Sequence, residues 1–307
     1  MKKINLGIVI VHFGNKNDTL ECLGSVAKLE RKNIIINIYL IDNDPRNRLY
    51  NNDLSPKLNI KLLNNQKNSG FGAGINLGAK KALAGNADYV LLLNNDVVVE
   101  KTILTDLLPY FKKSDIGLIS PMITYYDNPE LIWCVDGHLN KQFLFSNYPH
   151  MNKHIKKVEL PLFIESDFGA ACLLVKASVF KKIGFLDERY FLNAEDIEWC
   201  YRAKKSGFKI IYVSKPLARH KVSASSGIRG TNILSPGNAF FYARNFFILL
   251  RDHKKSFNLF TAIIGQSFIR LPFYVVFRCN STKAVYEYFR GYLYGWVYLL
   301  TGRLFSW

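Results

Sequence analysis

Three short stretches hold the side chains best suited to chemistry. The first is LLLNNDVVV, residues 91–99, where Asn94, Asn95 and Asp96 interrupt an apolar run. An uncompensated carboxylate in a buried strand is costly. The run therefore reads as a strand that stops near Leu93 or Asn94 and delivers Asp96 to a ligand. One such carboxylate suffices for Mg2+ or Mn2+, which prefer oxygen ligands and complete their shells with water and substrate phosphate. A plain strand-end turn capped by the asparagines is the alternative. The second stretch is FLNAEDIEWCYR, residues 191–202, where Glu195 and Asp196 open a helix whose dipole favours acids at that end. Either could act as a general base if it faces a pocket. Glu198 and Arg202, four apart, equally fit an ordinary helix ion pair. The third is His220 in ARHK, just after the apolar run IIYV, where an imidazole can meet a metal or a phosphate. A single histidine in such a place commonly does neither.

The glycine-rich stretch NSGFGAGINLG, residues 68–78, permits close backbone approach and opens a helix with free N–H groups. It superficially matches a dinucleotide fingerprint. That fingerprint should follow the first strand directly, with an acid closing a later strand. Here it follows the third strand and a polar NNQKNS loop, and the nearest acid, Asp88, precedes a strand. A dinucleotide-dependent oxidoreductase thus rests on GFGAG alone.

These residues need a frame. Residues 4–11, 34–41, 60–63 and 89–93 are apolar runs that read as strands, and 17–29 and 74–84 have helical spacing. Strands alternating with helices imply right-handed βαβ units and a mostly parallel sheet. Ligands gather at the carboxyl ends of such strands, where 12–15, 42–44 and 94–96 lie. Residues 116–163 read as short strands and turns, 169–175 as a strand, 194–206 as a helix, 208–213 as a strand and 236–251 as an aromatic helix.

The chain has 307 residues and a formal charge of +17. Residues 1–200 hold 24 Lys/Arg and 22 Asp/Glu, whereas 201–307 hold 17 Lys/Arg and 2 acids, Asp252 and Glu287. A basic last third implies an anionic partner. Residues 257–277 are strongly apolar but interrupted by Gln266, Arg270 and Pro272. A mid-segment arginine makes membrane spanning costly. Residues 285–307 mix aromatics, Trp307 among them, with cations, which suits a helix lying on a bilayer. A helical subdomain or a homo-oligomer interface is the alternative, and steeply salt-dependent nucleic-acid binding fits the charge but not the aromatics. Five widely spaced cysteines without a CxxC pair, and an N-terminus lacking a cleavage signal, lead to the expectation of a cytoplasmic protein in a reducing compartment.

The order of these motifs resembles the family 2 glycosyltransferases with the GT-A fold, over about residues 4–250. The resemblance rests on Asp42, N-x-G-x-G-x-G-x-N, hhhNND, GAACLLV, GFLDERYF-x4-EDIEWCYR, and His220 after a strand. It implies an α/β GT-A (nucleotide-diphospho-sugar transferase) fold over 1–250, with a C-terminal helical, aromatic and basic extension over 251–307. NND looks like that family's DxD-type motif, with Asp96 as the metal carboxylate and Asn94 departing from the common Asp. The same resemblance puts Val11, His12, Phe13, Gly14 and Asp42 around the nucleoside. Asn68, Gly72, Asn76, Asn94 and Asn95 would also lie on the nucleotide-sugar side. Gly169, Ala170, Ala171, Glu198, Trp199 and Arg202 would flank the acceptor. Glu195 and Asp196 look like the catalytic pair, with Asp196 as base, and His220 becomes a metal or diphosphate contact. The segments are most similar to bacterial rhamnosyltransferases of O-antigen or capsule assembly. That implies an inverting enzyme on the cytoplasmic face of the inner membrane, with a nucleoside diphosphate sugar donor, a lipid-linked acceptor and Mg2+ or Mn2+. A non-catalytic sugar-nucleotide-binding subunit would keep the same fold.

Overall fold

The computed structural model describes residues 3–222 and 233–305; Trp307 lies outside them. The chain opens with β1 (Ile4–His12), α1 (Lys16–Ala27), β2 (Ile34–Asp42), β3 (Ile60–Asn64), α2 (Phe71–Ala84) and β4 (Tyr89–Asn94). There follow β5 (Val97–Val99), α3 (Ile103–Leu107), β6 (Ile116–Tyr125), β7 (Ile132–Cys134), β8 (His138–Asn140), β9 (Phe145–Asn147) and β10 (Phe163–Ser166). Next come β11 (Cys172–Lys176), α4 (Ala177–Ile183), α5 (Glu195–Lys205) and β12 (Lys209–His220). The C-terminal part holds α6 (Pro236–Asp252), α7 (Leu259–Ile264), a π-helical segment Gly265–Arg270, α8 (Leu271–Phe277) and α9 (Thr282–Thr301).

The main sheet runs β10-β12-β6-β11-β4-β1-β2-β3, with β5 on β12 and β7 on β6. The pairs β3–β2, β2–β1, β1–β4 and β6–β12 are parallel. β11 is antiparallel to both β4 and β6, so the two parallel blocks share one direction. Side chains alternate across each strand. Val9, Val11 and Ile41 enter the core on the α2 face, while Ile8, Ile10 and Leu40 enter the core on the α1 face. Both faces are covered, which explains the near-continuous apolar runs.

Two strands exceed their apolar signal. β6 is a buried ten-residue strand where short strands and turns were expected, because Ser120 and Pro121 break its pattern without breaking its pairing. β12 runs to His220, beyond the apolar residues 208–213, carried across Pro216 by register shifts against β6. Conversely, 169–171 is a turn before β11, with Ala171 at φ 51°.

A boundary at 250–251 falls inside α6. That helix packs along α9, where Gly291 and Gly295 allow close approach: a Cβ on Gly291 would lie 2.1 Å from the Phe240 carbonyl oxygen. The polar residues that interrupt 257–277 turn toward the protein. Gln266 donates to the Leu144 carbonyl at 2.6 Å. Arg270 is buried, with its guanidinium 3.5 Å from the Phe246 ring centroid and farther from those of Tyr242 and Tyr274, at 5.1 and 5.2 Å. Phe260, Phe268, Ile269, Val276 and Phe277 are left exposed, Phe268 by 75%. Leu259–Phe277 is long and apolar enough to cross a membrane by length and composition.

Candidate active site

The parallel strands end on one edge, which places His12, Asp42, Asn64, Asn94, Tyr125 and His220 in a row. The antiparallel β11 brings the 169–171 turn to the same edge, and the Asn94 N–H donates to the Ala171 carbonyl at 2.8 Å.

β4 ends at Asn94, and a two-residue turn carries Asn95 and Asp96. Asp96 is buried, its carbonyl accepts from the Lys221 N–H at 3.0 Å, and its Oδ1 lies 3.1 Å from His220 Nε2. Two neighbouring ligands of an octahedral cation, each at about 2.1 Å, sit about 3 Å apart. Carboxylate oxygen and imidazole nitrogen both suit Mn2+, and this pair therefore fits a divalent ion. Among the described residues no group of three or more His, Cys, Asp or Glu does so. Two protein ligands would leave the remaining positions of such an ion to water and phosphate. His220 Nδ1 is buried without a hydrogen-bond partner among the described residues; its ring instead stands edge-on to Trp133, with centroids 4.3 Å apart.

The second acidic centre opens α5. Glu195 is 4% exposed and its Oε2 has no hydrogen-bond partner among the described residues. Burial, then the adjacent Asp196, push the Glu195 carboxyl well above the usual carboxylate range. Asp196 is half-buried, and its Oδ1 accepts from the Ile197 N–H at 2.7 Å. Burial raises its pKa too, with that helix-end hydrogen bond opposing. The pair meets no cation among the described residues. Tyr148, Tyr242 and Cys134 stand near enough to Asp196 for its charge to raise their own pKa values, behind larger effects of burial and, for Tyr242, of Tyr274.

The glycine-rich loop lies between the end of β2 and the second centre. Asn43 Nδ2 donates to Asn68 Oδ1 and to the Gly70 carbonyl, both at 3.0 Å, and Asn43 Oδ1 accepts from the Ser69 N–H at 3.1 Å. Gly70 sits at φ 90° against the backbone of Phe191, whose carbonyl accepts from the Phe71 N–H at 2.7 Å. A Cβ on Gly72 would stand 3.6 Å from Glu195 Cγ. Gly74 and Gly78 let α2 pack on Val11 and Val9. These glycines thus serve packing, and the first N–H of α2 is already bonded, which removes the physical motive for a pyrophosphate cradle.

Several sequence-predicted site residues are bonded within the protein. His12 meets Thr19 Oγ1 at 2.7 Å and the Asn47 carbonyl at 2.9 Å. Asn95 donates to Thr19 Oγ1 and to the Phe13 carbonyl. Asp42 accepts from the Asp44 and Leu49 N–H groups, and Gly14, at φ 87°, donates to Asp44. Asn76 bonds the backbone of Leu186 and the Glu188 carboxylate. Glu198 pairs with Arg202 at 2.7 Å and with His253 at 3.1 Å, and Trp199 is buried, donating to the Gly184 carbonyl. These last three are held by contacts within and around α5. Asn94 is half-exposed, and its side chain makes no hydrogen bond among the described residues. Asn43, Arg244 and Asn245 were missed. The signal for the last two was an Arg-Asn pair inside the aromatic run FFYARNFF.

The model of the glycosyltransferase like family 2 matches residues 5–232. A low-salt glycan biosynthesis hexosyltransferase, Agl10 of Haloferax volcanii, is 24% identical over 213 residues, covering 67% of this chain and 64% of that protein. The chain therefore spans less than two thirds of that relative's length. The dTDP-rhamnosyl transferase RfbF of Shigella flexneri is 23% identical, with 81% of each chain covered. Residues 1–349 of Staphylococcus aureus TarS superpose with a TM-score of 0.58 at 15% identity, covering 98% of this chain and 81% of that one. A GalNAc-T7 structure with UDP, GalNAc and Mn2+ gives a TM-score of 0.53 at 17% identity, over 71% and 43%. The fold is GT-A.

Proposed function

The chain belongs to the glycosyltransferase like family 2, and from that premise we propose that it moves a sugar from a nucleoside diphosphate to a hydroxyl of a lipid-linked glycan. The first donor to try is dTDP-rhamnose, and the setting is bacterial surface polysaccharide synthesis. Relatives named as rhamnosyltransferases support the donor. The observation that carries the reading is one sheet edge holding two unlike acidic centres: Asp96 beside His220, and Glu195–Asp196 without a cation among the described residues.

The nucleotide lies over the ends of β1 and β2, and its diphosphate faces Asp96, His220 and the side chain of Asn94. Asp96 and His220 would hold Mg2+ or Mn2+, which when bound offsets the charge of a departing diphosphate. Glu195, the more deeply buried acid, keeps its proton. Asp196 takes the proton of the acceptor hydroxyl as that oxygen forms its bond to the anomeric carbon. The bond from that carbon to the phosphate oxygen breaks on the opposite face, so configuration inverts.

The C-terminal helices hold the enzyme on the cytoplasmic face of the inner membrane. Tyr286, Phe289, Leu293 and Leu300 form an exposed stripe along α9, and Phe268 and Phe277 extend the apolar surface. Lys254, Lys255, Arg278, Lys283 and Arg303 supply cations, each contributing about 1 kcal/mol near an anionic bilayer. Phe268→Ser with Phe277→Ser should release the protein from anionic vesicles; unchanged sedimentation would refute the surface.

A screen of dTDP-, UDP- and GDP-sugars by thermal shift with Mn2+, followed by a transfer assay, tests the function. One donor should raise the midpoint and be turned over. Stabilisation without turnover on any acceptor would favour a non-catalytic binding subunit, and nicotinamide binding without metal would favour an oxidoreductase.

A further inference from the structure

Three of the four residues before the catalytic pair carry backbone that side chains disfavour. Phe191 has φ 62°, Asn193 φ 70° and Ala194 φ 67°, and none is glycine. Such backbone persists where the surroundings over-determine it. Here α6 does so. The Asn245 carboxamide Nδ2 donates to the carbonyls of Tyr190, Leu192 and Asn193 at 2.9, 2.7 and 2.6 Å. Arg244 Nη2 donates to the carbonyls of Arg189 and Tyr190 at 2.8 and 3.1 Å, and to Asn245 Oδ1 at 2.8 Å. Asn193 Nδ2 donates to Asn238 Oδ1.

Asn245 is fully buried and Arg244 nearly so, and among the described residues no carboxylate pairs with the guanidinium. Burial lowers the Arg244 pKa to about 10, so it stays charged. Phe240 and Phe241 flank it, with ring centroids at 5.5 and 4.9 Å. Its Nη1 reaches forward to the Phe305 carbonyl at 3.0 Å. A second strap runs outside the first: Arg189 bonds Asp252 and the Tyr298 hydroxyl of α9, which donates to Asp252 at 2.9 Å. A buried arginine and asparagine that together donate to four backbone carbonyls between Arg189 and Asn193 are poorly explained as core filling, where apolar residues pack at lower desolvation cost.

We propose that Asn245 and Arg244 are positioning residues that hold the 190–194 segment, with Phe191, Asn193 and Ala194 at positive φ, so that Glu195 and Asp196 face the ligand edge. The α6–α9 hairpin is then part of the catalytic unit. This inference rests on the glycosyl-transfer reading for its kinetic arm only.

Asn245→Asp is the sharpest variant. It keeps the volume and the oxygen that Arg244 bonds, gives that cation a carboxylate, and removes the N–H donors. In the full-length chain we expect amide hydrogen exchange at 191–197 to rise at least about tenfold, with β1 and β4 unchanged. With the donor identified, kcat should fall at least about tenfold with the donor KM within about threefold. As a second arm, Ala194→Gly placed in an Asn245→Ala chain should recover kcat about threefold or more, because glycine takes that backbone without penalty. Wild-type exchange protection in Asn245→Asp would overturn the inference, as would wild-type kcat or absence of the glycine rescue. A wild-type chain that transfers no sugar would sink the parent reading alone, since the exchange arm needs no substrate.

Discussion

Asp96 and Asp196 stand at the same edge of one sheet, and their surroundings are opposite. Asp96 is delivered by the turn after β4 and meets an imidazole at 3.1 Å. Asp196 starts a helix, adjoins a second carboxyl, and meets no cation among the described residues. Burial raises both members of that pair. An acid with an imidazole beside it is prepared to share a cation. An acid with a raised pKa and a deeper neighbour is prepared to take a proton near neutrality. The proposed division of labour thus lies in what surrounds each acid, not in the acids themselves.

The comparison can be broken by removing each acid in turn. Asp196→Asn should cost transfer about 10²–10⁴-fold while donor binding survives, since only a proton acceptor is lost. Loss of donor binding instead would make Asp196 structural. Asp96→Ala should lower turnover on the order of 10²-fold and abolish the response to Mn2+. Wild-type turnover there would end the cation assignment. A milder test is pH. The acidic limb of the kcat profile should lie above the usual aspartate value of about 4, because Asp196 must lose a proton that burial retains. A limb at or below 4 would place the base elsewhere. The smallest effect concerns stability. Glu195 binds its proton more tightly folded than unfolded, so stability is present at low pH and lost as pH rises through the raised folded value. Glu195→Gln removes that loss. Its melting midpoint should match the wild type near pH 4 and exceed it at pH 8 by about 2–4 °C. Parallel curves would show that Glu195 ionises freely.

The sheet was legible because its strands are buried on both faces and therefore nearly all apolar. The ends of strands were legible wherever polar residues broke the run, as at Asp42 and Asn94. β6 and β12 were shortened or missed because Pro121 and Pro216 interrupt a pattern that pairing with a neighbour sustains. Asp96, Asp196 and His220 could be named from the sequence. Their contrast could not, since it depends on a pairing 124 positions apart and on the burial of Glu195. The partners of Asn76, Trp199 and Arg202 were equally out of reach: the Leu186, Gly184 and Ile183 carbonyls meet them only in the fold. Arg270, read as a charge in an apolar segment, points into an aromatic cage and leaves the outer face apolar.

The central claim is that one edge separates cation binding at Asp96–His220 from proton transfer at Asp196. Titration calorimetry of the donor nucleotide with and without Mn2+, on wild type, Asp96→Ala and Asp196→Asn, tests it most directly. Wild type and Asp196→Asn should bind the nucleotide tightly only with Mn2+, and Asp96→Ala should lose that enhancement. Enhancement that survives in Asp96→Ala, or vanishes in Asp196→Asn, would contradict the account.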